Sequence, residues 1–112
     1  MMMRFVAGAT IVAGMLGVSA PMWASETEDV NLDEGKVLFQ SDATPACAIC
    51  HALKDADATG GIGPDLDELQ PAKDRIIKAM EEGTGPMPSF SDSLSDEQME
   101  AIADYVVHAT SQ

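Results

Sequence analysis

Two thiols and an imidazole lie within five residues of this chain, in the run Cys47-Ala48-Ile49-Cys50-His51. There is no other cysteine, and His108 is the only other histidine. Thiols separated by two residues can form a redox disulfide, hold half of a zinc site, or reach the two vinyl groups of one porphyrin as thioethers. In the last case the histidine that follows is held beneath the iron and can ligate it. A thioredoxin-type pair expects a βαβ pattern around it, and none is visible. Zinc expects a second ligand pair, which the chain does not supply. A structural disulfide suits an oxidising compartment and stays open as an alternative. The five-residue signature, together with the export signal described below, favours covalent attachment of one haem through Cys47 and Cys50, with His51 on one side of the iron.

An iron that transfers electrons with little reorganisation wants a second axial ligand, His or Met. His108 sits near the end of a helical stretch, where a histidine is favoured by the macrodipole at the surface. Met80 belongs to an apolar helical stripe and Met99 to a helix-start staple. Met87 differs from these. It stands between Pro86 and Pro88 in a stiff loop with no helical face to pack, so the loop can hold its sulfur at a fixed point. On the residues alone Met87 leads and the others stay open. A ligating histidine usually donates its other ring N–H to a carbonyl or carboxylate. Pro64 can offer only a carbonyl, at a distance from His51 that a loop can close.

Three helices should position these groups. The first starts near Asn31, with Asn31 as cap and Glu34 in capping-box position, and frays near Ser41-Asp42. Gly35 within it costs roughly 1 kcal/mol relative to Ala and is easier to understand if another backbone comes close. Residues 43–70 read mostly as loop, with a short helical stretch from Cys47 and a turn region over Thr59-Gly60-Gly61-Ile62-Gly63-Pro64. Pro71 suits the first turn of the middle helix, whose stripe is Ala72, Ile76, Ala79 and Met80, with Ile77 alongside. Gly83 stops it. Two acids at that end, Glu81 and Glu82, oppose the macrodipole without an evident reason. The segment Thr84–Ser89 should be extended loop. The last helix is capped by Ser95 with Gln98 as box partner and Leu94–Met99 as staple, and it buries Ile102, Ala103, Val106 and Val107. No segment alternates long enough for a strand.

The N-terminus reads as a secretory signal. Arg4 precedes an apolar run from Phe5 to Ala20, about 16 residues and short of the ~20 that a spanning helix needs. Pro21 breaks the run, and cleavage is expected after Ala24. A cut after Ala20 would place Pro21 behind the scissile bond. Residues 1–24 are thus a signal, 25–30 a mobile acidic N-terminus and 31–112 one domain. Removing the signal removes Arg4, so the net charge moves from −13 to −14. That balance excludes nucleic acid and anionic membrane as partners, and it permits steering toward a basic patch on another protein. A domain this small is marginal for a core. Phe39, Phe90 and Tyr105 supply its only aromatic bulk after cleavage, so a haem would fill the middle.

From Asp33 to Ala109 the chain resembles the monohaem class I cytochromes c. The resemblance is carried, in the family's order, by Gly35-x-x-x-Phe39, Cys47-x-x-Cys50-His51, Gly63-Pro64-x-Leu66, a middle helix ending at Gly83, Gly85-x-Met87-Pro88-x-Phe90, and Ile102-x-x-Tyr105. It implies an all-α cytochrome c-like fold, three main helices and loops wrapped around one covalently attached haem c. It also implies His51 and Met87 as axial ligands, the Pro64 carbonyl accepting from His51, and first and last helices crossing near Gly35 with Phe39 and Tyr105 at the crossing. The implied function is one-electron transport in the periplasm between a redox donor and acceptor, with no enzyme activity of its own and no stable membrane insertion. Apolar burial by Leu53, Ile62, Leu66, Ile76, Ile77 and Met80 would favour the less charged ferrous iron. The family's propionate contacts do not carry over: the mature chain has no Trp, and Lys54, Lys73 and Arg75 receive no role. The run Gly63-Pro64-Asp65-Leu66-Asp67-Glu68-Leu69 is similar to cytochrome subunits that accept electrons from molybdenum sulfite dehydrogenases. Alternatives are a permanent subunit of such an oxidoreductase, a haem-based ligand sensor with Met87 off the iron, and a thiol–disulfide enzyme.

Overall fold

The computed structural model describes Gly8, Ala13, Gly14, Gly17 and residues 31–112. The expected signal and mobile N-terminus otherwise lie outside the described residues. Helix α1 (31–37) runs on through a π turn, Leu38–Asp42, which closes where the Ala43 amide donates to the Leu38 carbonyl at 3.1 Å. There follow α2 (Cys47–Cys50), β1 (Ala52–Leu53), a 3₁₀ turn (Lys54–Ala56), β2 (Ala58–Thr59), α3 (Leu66–Leu69), α4 (Lys73–Glu82) and α5 (Asp96–Thr110). The expected three main helices are α1, α4 and α5. The strands are a small antiparallel ladder pairing Ala52 with Thr59 and Leu53 with Ala58, turned at Asp57 with φ 52°. Two residues per strand are too few to alternate, so periodicity could not reveal them.

Helices α1 and α5 cross at Gly35. A Cβ there would fall on the carbonyl oxygen of Ala101 and 2.7 Å from the Tyr105 Cβ. The helix tolerates glycine because the α5 backbone takes the space. One turn on, Phe39 meets Tyr105 edge-to-face, with ring centroids 6.1 Å apart. Asn31 Nδ2 donates to Asp104 at 3.0 Å, and Lys73 bridges Asp104 at 2.8 Å and Glu100, so the same face of α5 is tied to both α1 and α4.

Several helix ends follow the local chemistry. The Ser95–Gln98 capping box is complete in both directions, at 2.9 and 3.1 Å, with Leu94 and Met99 buried beside it. Gly83 ends α4 with φ 71°. Others depart from expectation. Asn31 already lies within α1 and spends its side chain on Asp104, so it is not the cap. Pro71 stands before the α4 N-cap, Ala72, rather than in its first turn. Ala72 and Val107 are exposed, because the apolar stripe of each helix is narrower than the sequence pattern suggested.

The buried cluster includes Leu38, Phe39, Leu53, Met80, Phe90, Leu94, Met99, Ile102, Tyr105 and Val106. Of these, Phe39, Met80, Ile102 and Val106 also line an internal hollow. The core is therefore a shell as much as a plug. Gly35→Ala tests the crossing. The Ala101 carbonyl belongs to a helix backbone and cannot swing aside, so the helix-propensity gain is outweighed. A loss of about 1–3 kcal/mol is expected, read as a fall of roughly 5–15 °C in a thermal melt. An unchanged midpoint would show that the helices separate freely at this point.

Candidate functional site

Helix α2 is one turn long and is held by the loop that follows β2. The Gly63 amide donates to the Cys50 carbonyl at 2.7 Å, and the His51 amide to the Cys47 carbonyl at 2.9 Å. Two glycines make this packing possible. A Cβ on Gly60 would lie 2.6–2.7 Å from the backbone of Ile49, Cys50 and His51. A Cβ on Gly63 would lie 2.6 Å from His51 Cε1. The imidazole therefore rests against bare backbone. His51 Nδ1 sits 2.8 Å from the Pro64 carbonyl oxygen. A carbonyl only accepts, so Nδ1 carries the proton and Nε2 keeps its lone pair. Cys47 and Cys50 are half-buried free thiols. Burial, opposed by a backbone hydrogen bond, pushes the Cys47 thiol up to about 11. That direction works against the thiolate a thiol–disulfide enzyme needs.

Met87 lines the same hollows as His51 and sits in a tight turn, not in extended chain. Thr84 and Met87 exchange backbone hydrogen bonds, both 3.0 Å, with Gly85 at φ 55° between them. Positive φ at the first central position is what a two-residue hairpin turn needs, and glycine supplies it. The turn is fastened to the C-terminal end of α4. Gly83 N–H donates to the Ala79 carbonyl, Phe90 N–H to Met80 at 2.7 Å, and the Ser91 hydroxyl to Glu81 at 2.9 Å, with Ser89 Oγ on the same oxygen. These are carbonyls that a helix end leaves without partners. A Cβ on Gly83 would strike the Met87 carbonyl oxygen at 2.8 Å, so the loop returns close over that glycine.

Two apolar hollows of about 160 and 150 Å³ lie side by side here. Cys47, His51, Pro64, Thr84 and Met87 line both, and Cys50 lines the first. Every sequence-nominated site residue is thus brought to one slot. Met80 lines the second hollow, whereas Met99 and His108 line neither. Of the apolar residues expected around the slot, Ile62, Leu66, Ile76 and Met80 line it, while Leu53 and Ile77 pack in the protein elsewhere. The sequence pattern missed Phe39, Ile102 and Val106, whose helical spacing looked like ordinary core, and Arg75. Two thiols, an imidazole and a thioether together on the lining of an otherwise apolar slot suit a flat apolar macrocycle with a metal at its centre. Among the described residues no group of three or more His, Cys, Asp or Glu side chains could share a metal ion, so the zinc alternative finds no ligand set.

Residues 30–106 match the family model described as cytochrome c oxidase, cbb3-type, subunit III. The fold is similar to the crystal structure of the c-type cytochrome SorU from Sinorhizobium meliloti, with a TM-score of 0.70 and 43% identity over 73% of this chain and 93% of that one. This chain belongs to the c-type cytochromes. No curated protein sequence matches it. Membership makes it an electron-transfer protein rather than an enzyme and implies a haem c. Among the described residues no helix is long and apolar enough to cross a membrane.

The cytochrome's motif segment is tied to the rest of the fold just downstream of His51. Asp67 accepts from the Lys54 amide at 2.8 Å, while Asp65 caps α3 by accepting from the Asp67 amide at 2.9 Å. The Tyr105 hydroxyl donates to Asp55 at 2.6 Å, and Lys36 lies 3.6 Å from the same carboxylate. The Tyr105 bond, opposed by slight burial and aided by Lys36, holds the Asp55 carboxyl below its ordinary range. Burial first, then Asp55, raises the Tyr105 phenol. Because the Asp55 value is depressed on folding, its stabilisation is fully present above the ordinary carboxylate value of about 3.9 and is lost as pH falls through the lowered one. Tyr105→Phe should therefore cost about 1 kcal/mol at pH 7, and the gap from wild type should close as pH drops below 4. Denaturant unfolding at pH 7 and pH 3 measures this. A gap equal at both pH values would mean the bond does not use the carboxylate charge.

Proposed function

We propose that this cytochrome is an exported, soluble one-electron carrier. In this reading Cys47 and Cys50 would hold one haem c as thioethers, and His51 Nε2 and Met87 Sδ would ligate its iron. When bound, haem supplies the reversible Fe(III)/Fe(II) couple. The chain's own residues do the rest. The Pro64 carbonyl fixes the His51 tautomer and ring plane and raises the basicity of Nε2. The Thr84–Met87 turn presents the thioether from a backbone that cannot drift. With His51 and Met87 both committed to the iron, no ligand position would be left open for a substrate. Residues 1–24 direct export to the periplasm and are removed. The observation that best supports the reading is the convergence of Cys47, His51, Pro64 and Met87 on one apolar slot.

The donor we propose is a molybdenum sulfite dehydrogenase, on the resemblance of the run Gly63–Leu69, met through a basic patch complementary to this acidic chain. A permanent place in an oxidoreductase complex is the second reading. The matched family model is described as an oxidase subunit, and native mass of the protein from its source separates the two.

Met87→Ala tests the ligation. The ferrous protein should then bind carbon monoxide at least about tenfold more tightly, since each 1.4 kcal/mol of displaced ligand bond is a factor of ten. The oxidised spectrum should change as well, and an unchanged oxidised spectrum removes Met87 from the iron. Rapid mixing with the reduced dehydrogenase tests the partner. The bimolecular rate should fall about tenfold or more between low salt and ~0.5 M, and a salt-indifferent rate means the acidic surface is not used in encounter.

A further inference from the structure

We propose that Arg75 is the propionate-binding residue of this cytochrome. The inference rests on the haem reading above and goes on to name which side chain receives the cofactor's charged edge. A haem is an apolar plate with two carboxylate arms. A slot with walls as apolar as these gives a carboxylate no compensation of its own, and an unpaired charge in such surroundings is expensive. Among the described residues one cation lines the slot, and it is Arg75, beside Leu69, Pro71 and Ile76 in the second hollow.

The remaining described cations are engaged or placed elsewhere. Lys73 is held between Glu100 and Asp104, and Lys36 faces Asp55. Lys54 and Lys78 line neither hollow. Among the described residues Arg75 makes no ion pair and no side-chain hydrogen bond; its neighbour Asp74 accepts only the Arg75 backbone amide, at 2.9 Å. Helix stability does not explain its position. Arg75 is in the first turn of α4, where a cation meets the positive end of the macrodipole. Its starting point is nonetheless well fixed. Pro71 is buried just ahead of the helix, and Gln70, at φ 46°, donates from its side chain to the Thr110 carbonyl at 3.0 Å. An anchored helix start that brings an exposed Arg75 to the lining of an apolar slot, its guanidinium uncommitted among the described residues, fits a carboxylate, which the planar fork can take through two parallel N–H bonds.

Redox titration of holoprotein at pH 8 and low salt, against one mediator, tests this with Arg75→Gln, Arg75→Lys and Lys78→Gln. Lys78 is an exposed cation on the same helix, outside the slot. Losing a cation paired to the haem edge disfavours the ferrous state, so Arg75→Gln should lower the equilibrium constant for reduction about three- to tenfold. Arg75→Lys should recover more than half of that change, and Lys78→Gln should shift it less than twofold. A shift in Arg75→Gln no larger than that in Lys78→Gln overturns the proposal, because it would then report net charge alone. In that event haem that survives denaturation on all three variants leaves the haem reading standing. Failure of wild type to retain haem through denaturation overturns both.

Discussion

The contact on which the site depends is the bond between His51 Nδ1 and the Pro64 carbonyl. It is a single hydrogen bond, but its geometry requires the 60–64 loop to lie against the backbone of α2. That approach requires Gly60 and Gly63 to have no side chains, since either Cβ would enter the motif itself. It also places the Gly63 amide on the Cys50 carbonyl, which ends the α2 turn. Once Pro64 is fixed, Asp65 can cap α3, and Leu66 is delivered to the wall of the slot. Asp67 then reaches back to Lys54 and closes the circuit on the far side of His51. One imidazole orientation is thus specified by two glycines and one proline acting through backbone, and by two aspartates whose carboxylates accept from backbone amides.

The fold beyond the loop reads as a solution to a shortage of apolar volume. With few aromatics, the three main helices cannot meet in a filled centre. They lean on one another at the edges instead, α1 on α5 at Gly35, and α4 on α5 through Lys73 with Glu100 and Asp104. Phe39, Met80, Ile102 and Val106 are buried, yet they face a hollow. Such a shell is incomplete as a core. A ligand that binds the folded shell and not the unfolded chain adds its binding free energy to folding. On the proposed haem reading, the cofactor would therefore be structural as well as functional, and its covalent bonds would prevent its loss.

The sequence made some of this legible and hid the rest for identifiable reasons. Motif spacing singled out Cys47, Cys50 and His51, which the fold brings to the lining of the slot. Capping chemistry carried Ser95 and Gln98, where both partners lie within one turn. A close backbone at Gly35 was anticipated because a mid-helix glycine is unfavourable without a reason, and the family resemblance implied that the backbone is that of the last helix. Hidden were features that depend on residues far apart in the chain. The Asp55–Tyr105 bond joins residues fifty apart, and nothing local to Asp55 marks it. Asn31 offered a capping side chain, but Asp104 captured it. The Thr84–Met87 turn was misread as extended because two prolines suggest stiffness without direction, whereas Gly85 at positive φ reverses the chain. Phe39, Ile102 and Val106 could not be told from ordinary core, since a residue facing a cofactor and a residue facing a neighbour share the same apolar periodicity.

Glu81 and Glu82 illustrate how a local rule yields to its surroundings. Acids at a helix C-terminus are disfavoured by roughly 0.3–1 kcal/mol because the last carbonyls carry partial negative charge. In α4 those carbonyls are not left bare. Ala79, Met80 and Glu81 receive donors from Gly83, Phe90, Ser89 and Ser91. The donors partly neutralise the field that would repel the acids, and both glutamates are exposed, where solvent screens what remains. The helix therefore needs no lysine or arginine at this end, and its surface can stay acidic. The same donors seat the loop that carries Met87. A C-terminus capped by neutral hydroxyls and amides thus does two things that a cationic cap could not do together: it anchors the turn that holds Met87 and keeps the surrounding surface negative.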